Sequence, residues 1–225
     1  MANEAPEHDT PRKLVAEALG TFFLFVGVIS SGIMAEDLAT GNAGVALLSN
    51  TLAVGAILFV IIAMFAPISG AHFNPAVTLA FVLRREMGLG LATAYVATQL
   101  VSGAFGAIAA HIMFEQPLFQ IAQTPRTGVG QWTGEFIATF GLILTVLLLV
   151  RYRPTAIPAA VALYISSAIW FTSSTSFANP AITIARALSD SYTGIAPADV
   201  PMFILAQLLA AVAAVFLAGW LVVDE

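Results

Sequence analysis

The fold of this 225-residue chain is decided by two short stretches, SGAHFNPAVTLA at residues 69–80 and STSFANPAITIA at residues 174–185. Aligned at a fixed offset of 105, the two stretches match at six of twelve positions. Asn is a preferred N-cap residue and Pro fits the first helical turn, so each Asn-Pro pair predicts the start of a helix. The two motifs are Asn74-Pro75-Ala76 and Asn179-Pro180-Ala181.

The helices that these motifs start are too short to cross a membrane. Residues 74–83 and 179–188 would each reach about 15 Å, half the hydrocarbon core of a bilayer. The chain as a whole is 59% hydrophobic and 9% charged, whereas soluble domains carry about 25% charged residues. Six further apolar runs have roughly the 20 residues that a membrane span needs. They are residues 14–34, 45–66, 89–113, 132–150, 157–174 and 201–223.

Polar landmarks show that the chain is a repeat of two halves. Glu17-x-x-x-Thr21-Phe22 opens the first span, and Glu135-x-x-x-Thr139-Phe140 opens the fourth. The third span carries Tyr95-x-x-x-Gln99, and the sixth carries Phe203-x-x-x-Gln207. Each half has three spans, an odd number, so the halves enter the membrane from opposite sides. This predicts an all-α membrane protein with six transmembrane helices and two re-entrant half-helices in an inverted 3+3 repeat.

The same pattern divides the chain into parts. We expect a polar tail at residues 1–11 and a channel domain at residues 12–223. The domain comprises repeat one at 12–114, a connecting loop at 115–130 and repeat two at 131–223. In an inverted repeat the two short helices meet near the membrane midplane, with the positive ends of their dipoles facing one spot. That spot repels cations, while the Asn side chains offer hydrogen-bond donors to neutral molecules.

Charge and cysteine content narrow the function. Six of the eight Lys and Arg residues fall on one side of the six spans, which predicts that both termini are cytoplasmic in a cell (plasma or inner) membrane. A net charge of −5 without a clustered basic face gives no indication of a nucleic-acid partner. The chain has no cysteine and three scattered histidines, so we expect no metal site, and nothing indicates a cofactor. The sequence has no catalytic constellation, so an enzyme is not expected.

These motifs resemble the aquaporin family, also called major intrinsic proteins. The resemblance rests on the two Asn-Pro-Ala motifs, the lead-in SGAHF and the paired landmarks, and it covers about residues 12–223. It implies six tilted helices and two half-helices around one pore per subunit, within a lipid bilayer. It also implies a homotetramer that passes water or small neutral solutes passively and excludes ions.

The resemblance also implies a selectivity ring of four positions near the outer mouth. Counting from the Asn-Pro-Ala motifs assigns them to Val54, Ser167, Ser176 and Ile182. Water-selective members typically have an aromatic residue, His, a small residue and Arg there, and glycerol-conducting members keep the Arg. This chain has neither aromatic, His nor Arg, so we expect a wide, neutral filter for water and for larger solutes such as glycerol or undissociated arsenious acid. It is similar in this to Arg-less bacterial members that are associated with metalloid handling.

Two assignments in this ring have alternatives. Arg186 lies one helical turn beyond Ile182, so it either closes the mouth, as in a water-selective channel, or sits at the outer interface near Asp190. A one-residue gap in the Ser-rich run at 172–176 would move the Ser167 assignment to Ser166 or Ala168.

The ionisable residues within the membrane also have two interpretations. Glu17 and Glu135 are either proton or ion carriers of a secondary transporter, or scaffolds that accept hydrogen bonds from the backbone before each half-helix. Their paired placement favours scaffolds. By the resemblance His72 lines the cytoplasmic vestibule; the alternative is a buried structural role. Channel is the favoured class, because Asn, Pro and Ala at the midplane do not form an ion-coordinating cluster.

Overall fold

The computed structural model describes residues 8–222. Residues 1–7 of the predicted tail and residue 223, the last of the predicted channel domain, lie outside the described part. Within it the chain forms eight α-helices. They are α1 (Thr10–Leu38), α2 (Ala43–Ser69), α3 (Pro75–Leu83), α4 (Leu89–Met113), α5 (Val129–Tyr152), α6 (Ile157–Phe171), α7 (Pro180–Arg186) and α8 (Val200–Leu221).

Six of these helices are long and apolar enough to cross a membrane, with α6 counted together with the 3₁₀ turn Pro154–Ala156 that precedes it. Helices α3 and α7 are the two half-helices. The predicted fold class is therefore confirmed. The helices α1, α2 and α5 extend past the predicted spans, α4 matches its span, and α6 and α8 end three and two residues before the predicted ends. In α1, Asp9 accepts a hydrogen bond from the backbone N–H of Arg12 at 3.1 Å, so the helix begins four residues before the apolar run.

Packing follows the two halves of the sequence. Helix α1 packs on α2 and α4, and in the second half α5 packs on α6 and α8 in the same way. The halves join where α2 contacts α6, and each half-helix also packs on the other half, α3 on α8 and α7 on α4. The half-helices are thereby held from both sides, which fixes their starts relative to one another.

Small residues allow this close packing. Ala211, Ala214 and Ala218 of α8 are fully buried in one cluster with Ala76 and Ala80 of α3. In α4, a Cβ added to Gly103 would lie 2.2 Å from the ring of Phe25. Small side chains let helix backbones approach each other closely within a membrane. The framework around the half-helices is therefore tightly packed.

Candidate pore

Two buried carboxylates shape the loops that lead into the half-helices. Glu17 accepts hydrogen bonds from the backbone N–H groups of His72 and Phe73, both at 2.8 Å. Glu135 accepts the equivalent bonds from Phe177 at 2.8 Å and Ala178 at 2.9 Å. Both carboxylates are fully buried and share their charge among these donors. This is the arrangement that a scaffolding role requires.

A glutamine from the third helix of each half completes each carboxylate site. The side-chain amide of Gln99 donates to Glu17 at 2.8 Å, and that of Gln207 donates to Glu135 at 2.6 Å. The same amide of Gln207 also donates to Thr183 of α7 at 2.9 Å. The paired Glu and Gln landmarks of the sequence therefore form one network in each half.

These networks hold the lead-in loops in an unfavourable backbone conformation. Ala71 and Phe73 have φ values of 52° and 49°, and their equivalents Ser176 and Ala178 have values of 51° and 48°. A non-glycine residue in this left-handed region is strained, at a cost of about 1 kcal/mol or more each. The hydrogen bonds to the carboxylates offset this cost and turn the loop carbonyls towards the midplane.

The two Asn residues link the half-helices at their starts. Each Asn caps its own helix, with Asn74 Oδ1 accepting from the N–H of Ala76 and Asn179 Oδ1 accepting from that of Ala181, both at 2.9 Å. Each side-chain amide also donates across to the other loop, Asn74 to the carbonyl of Ala178 at 2.7 Å and Asn179 to that of Phe73 at 2.9 Å. An amide nitrogen carries two hydrogens. One hydrogen on each Asn therefore remains for a solute.

A cavity of about 600 Å³ runs past these two Asn residues. Its lining extends from Pro154 and Thr155, beside the basic loop after α5, to Arg186 and Tyr192 at the opposite end. We call these two ends of the molecule the basic end and the far end. The lining is mostly apolar, and the polar groups near its middle come from the two half-helices and their loops. A continuous path of this kind suits a neutral solute.

Three of the four ring positions counted from the sequence line this cavity. Val54, Ser176 and Ile182 are buried and face it. The hydroxyl of Ser176 has no hydrogen-bond partner among the described residues.

Ser167 does not line the cavity, and that assignment is wrong. Its side chain is exposed on the outside of α6, where its hydroxyl donates to the carbonyl of Leu163 at 2.9 Å. Ile165 and Ile169 face the cavity instead. These two residues are one helical turn apart, whereas Ser167 is rotated by about 200° from Ile165. The alternatives Ser166 and Ala168 do not line the cavity either.

Arg186 lies inside the far-end mouth and not at the interface near Asp190. Its side chain is 6% exposed, and its guanidinium carbon stands 3.4 Å from the centre of the Phe177 ring. Nε donates to the carbonyl of Thr193, which is the one hydrogen bond of the Arg186 side chain among the described residues, so Nη1 and Nη2 form none there. Arg186 lines the cavity, so these two nitrogens remain available to whatever occupies it. The mouth therefore keeps a cation although position 182 is Ile.

The connecting loop places a second arginine beside the mouth, outside the cavity lining. Arg126 Nε donates to the carbonyl of Gly194 at 2.7 Å, and its backbone N–H donates to Asp199 at 2.7 Å. Its guanidinium carbon lies 5.0 Å from the centre of the Phe177 ring. Burial lowers the pKa of Arg126, and the nearby Tyr192 and Glu135 oppose that shift. Arg126 ties the connecting loop to the loop after α7.

His72 lines the cavity towards its basic end. The ring is buried, stacks on Phe81 at 4.7 Å between ring centres, and its Nδ1 lies 3.1 Å from the hydroxyl of Thr78. It also borders a second cavity of about 480 Å³, which Lys13 and Glu86 line as well. His72 is thus both a packed residue and a wall of the vestibule.

Comparison with known proteins identifies the class. The family model for major intrinsic proteins matches residues 4–173, and the chain belongs to this family. It is therefore a multi-pass membrane protein and a passive channel for water and small solutes, and not an enzyme.

Individual relatives place the chain within the family. It is 46% identical over 215 residues to aquaglyceroporin AqpS of Rhizobium meliloti (strain 1021), covering 96% of this chain and 92% of that protein. It is 34% identical over 209 residues to aquaporin NIP2-1 of Zea mays, covering 87% and 67%. The aquaglyceroporin from Plasmodium falciparum has the same fold, with a TM-score of 0.72 at 22% identity over 94% of this chain and 95% of that one.

Several pore residues were not found from the sequence. Phe177 occupies the position equivalent to His72 in the repeat alignment, which would have identified it as a lining residue. Ile165 and Ile169 lie four residues apart on α6, so the helical period of its apolar residues indicates that they share one face. Tyr192, which lines the cavity, and Arg126, which lies beside it, are in loops that carry no periodic signal.

Proposed function

We propose that this channel conducts water and small neutral solutes larger than water, such as glycerol and undissociated arsenious acid. The observation that supports this is the composition of the far-end mouth: aliphatic Val54, Ile169 and Ile182 on the wall, and one guanidinium, that of Arg186. A polyol presents C–H groups and hydroxyls, which match an apolar wall and the two unpaired Arg186 nitrogens. The relative from Rhizobium meliloti is an aquaglyceroporin by name.

Arg186 modifies the filter expected from the sequence. A neutral filter would admit cations as far as its width allows, whereas a buried guanidinium repels them and donates hydrogen bonds to a solute oxygen. A second candidate function, a water-selective channel closed by Arg186, is supported by the same side chain. The two candidates differ in whether the aliphatic wall leaves room for a carbon skeleton beside the guanidinium.

Stopped-flow light scattering on proteoliposomes tests the proposal with the variant Ile182→Arg. We expect the wild type to pass water, glycerol and arsenious acid. The variant brings a long cationic side chain into the wall, so its glycerol permeability should fall at least about tenfold, equivalent to about 1.4 kcal/mol. Its water permeability should change by less than about threefold, on the same scale.

The matched control is Leu188→Arg, which adds an arginine at the far end on an exposed position outside the cavity. It should leave both permeabilities unchanged. If the wild type passes water alone, the proposal fails in favour of the second candidate. In that case Arg186→Ala should admit glycerol.

We also propose that the far end is extracellular and the basic end cytoplasmic, in the cell membrane. The support is the distribution of Lys and Arg, which favours the cytoplasmic side. Because the chain has no cysteine, single cysteines can be placed without background. On intact cells a membrane-impermeant maleimide should label Phe119→Cys, which is 87% exposed at the far end, and should spare Arg153→Cys. The reverse pattern would invert the topology.

For the assembly we propose a homotetramer. The support is family membership, together with the many large apolar side chains that the single chain leaves exposed on its outer surface. Some of these would pack against neighbouring subunits and the others against lipid.

A further inference from the structure

The far-end mouth contains a buried positive charge that makes no direct ion pair with a carboxylate of the described residues. Arg186 forms no ion pair within residues 8–222, where the ion pairs are Arg12 with Asp9 and Arg84 with Glu86, both at the basic end. Its side chain is 94% buried, since 6% of it is exposed. Buried charges are normally paired, because desolvation is costly. The guanidinium edge of Arg186 formed by Nη1 and Nη2 is therefore expected to bind a ligand.

The acidic residues around the mouth are already used by backbone groups. Glu36 accepts from the N–H of Tyr192 at 3.0 Å, and Asp190 accepts from that of Gln123 at 2.9 Å. Asp199 accepts from that of Arg126 at 2.7 Å. A fourth carboxylate, Glu135, lies near enough to act on the charge of Arg186, and it accepts from Phe177, Ala178 and Gln207. These contacts fix the loops of the mouth and leave none of the four carboxylates bonded to Arg186.

A second cation stands beside the first. The guanidinium carbons of Arg126 and Arg186 lie 5.0 Å and 3.4 Å from the centre of the same ring, that of Phe177. The two charges are therefore no farther apart than the sum of these distances. The donors of Arg126 go largely to carbonyls, so it adds positive potential while Arg186 keeps free donors.

The orientation of Arg186 determines which ligand fits. Its Nε is occupied by the carbonyl of Thr193, which leaves the end-on pair of Nη1 and Nη2 facing the cavity. A guanidinium edge binds two oxygens of one carboxylate or phosphate group in a bidentate manner. From this we infer that the far-end mouth is a binding site for a small oxyanion, held by Arg186 and attracted by Arg126.

A bound oxyanion would stop at the mouth and not pass. Just beyond Arg186 the path is lined by Val54, Ile182 and Phe177, which cannot replace the water of a charged ion. The cost of stripping that water is prohibitive in an apolar passage. Neutral solutes do not meet this barrier. The oxyanion therefore blocks the pore reversibly, and permeability falls as its concentration rises.

The inference rests on the proposed channel function and is tested through water, which does not depend on which larger solute passes. Osmotic water permeability of proteoliposomes is measured in inorganic phosphate and in chloride at equal ionic strength, with the same buffer on both faces. For a site of millimolar affinity, about 50 mM phosphate should reduce the permeability at least about twofold. No reduction, or an equal one in chloride, would overturn the site.

Substitutions assign the effect to Arg186. In Arg186→Gln the phosphate effect should disappear, and in Arg186→Lys, which keeps the charge without the planar fork, it should weaken but persist. Arg151→Gln, which removes an exposed arginine at the basic end, should retain the full effect. A phosphate effect that survives in Arg186→Gln would refute the assignment. If no protein passes water even in chloride, the failure lies with the channel function and not with the anion site.

Discussion

Replacing Glu135 by Gln is expected to destabilise the channel severely, by about 3 kcal/mol or more. The carboxylate is fully buried and accepts hydrogen bonds from Phe177, Ala178 and Gln207. An amide replaces one accepting oxygen by a donor, which then faces another donor, and each buried group left unsatisfied costs about 1–3 kcal/mol. Proteins have only about 5–15 kcal/mol of net stability, so the loss is large. Thermal unfolding of the detergent-solubilised protein, followed by size-exclusion chromatography, measures it.

The matched control for this prediction is Glu115→Gln. Glu115 is exposed after α4, and its side chain has no hydrogen bond within the described residues. The unfolding temperature of the Glu115→Gln protein should therefore equal that of the wild type. The outcome also separates the two interpretations of the membrane carboxylates. A Glu135→Gln protein that is fully stable but transports nothing would indicate a proton or ion carrier. A destabilised protein indicates the scaffold that holds the strained loop.

The fold could be predicted because its decisive features are local and repeated. Asn74-Pro75 and Asn179-Pro180 specify helix starts through capping chemistry, and apolar length alone separates full spans from half-helices. The predicted bounds of the helices are less accurate. Hydropathy identifies the residues in the hydrocarbon core, whereas a capping residue such as Asp9 sets the start of a helix in the polar zone. The inverted topology followed from the count of spans in each half.

The pore was only partly predictable. Ile182 lies three residues from Asn179 in the same helical turn of α7, and the count from Asn74 to Val54 crosses the short loop at residues 70–74 and still reaches the cavity face of α2. The count from Asn179 to Ser167 crosses a longer loop, residues 172–179, and reaches the wrong face of α6. A displacement of two residues on α6 turns a side chain from the cavity to the outer surface.

The position of Arg186 depends on contacts that are distant in sequence or lie in loops. Its guanidinium faces inward because the Thr193 carbonyl and the Phe177 ring hold it there. Both partners sit in irregular segments whose course the connecting loop fixes through Arg126. Sequence spacing could name the two possible locations of this arginine but could not choose between them.

Replacing Gly20 by Ala is expected to disrupt the midplane, although the same change normally stabilises a helix by about 0.5–1 kcal/mol. A Cβ built on Gly20 would lie 2.0 Å from Cε1 of Phe73, in a ring that is almost fully buried. The ring has little room to rotate aside, because it is buried and packs edge-on against Phe65 with 6.2 Å between ring centres, and the Phe73 backbone is itself held by Glu17 and Asn179. Overpacking of this kind costs about 1–3 kcal/mol, and we expect the upper end. Unfolding temperature and water permeability should both fall.

Gly219→Ala is the matched control, because Gly219 lies in the last turn of α8 and a Cβ there would meet nothing within 4 Å. It should raise the unfolding temperature slightly and leave water permeability unchanged, so the two substitutions should act in opposite directions. If Gly20→Ala were as harmless as Gly219→Ala, the Phe73 ring would have to be free to rotate aside. The packing of that ring against α1 would then contribute little to the rigidity of the midplane, which would rest on the backbone hydrogen bonds of Phe73 with Glu17 and Asn179.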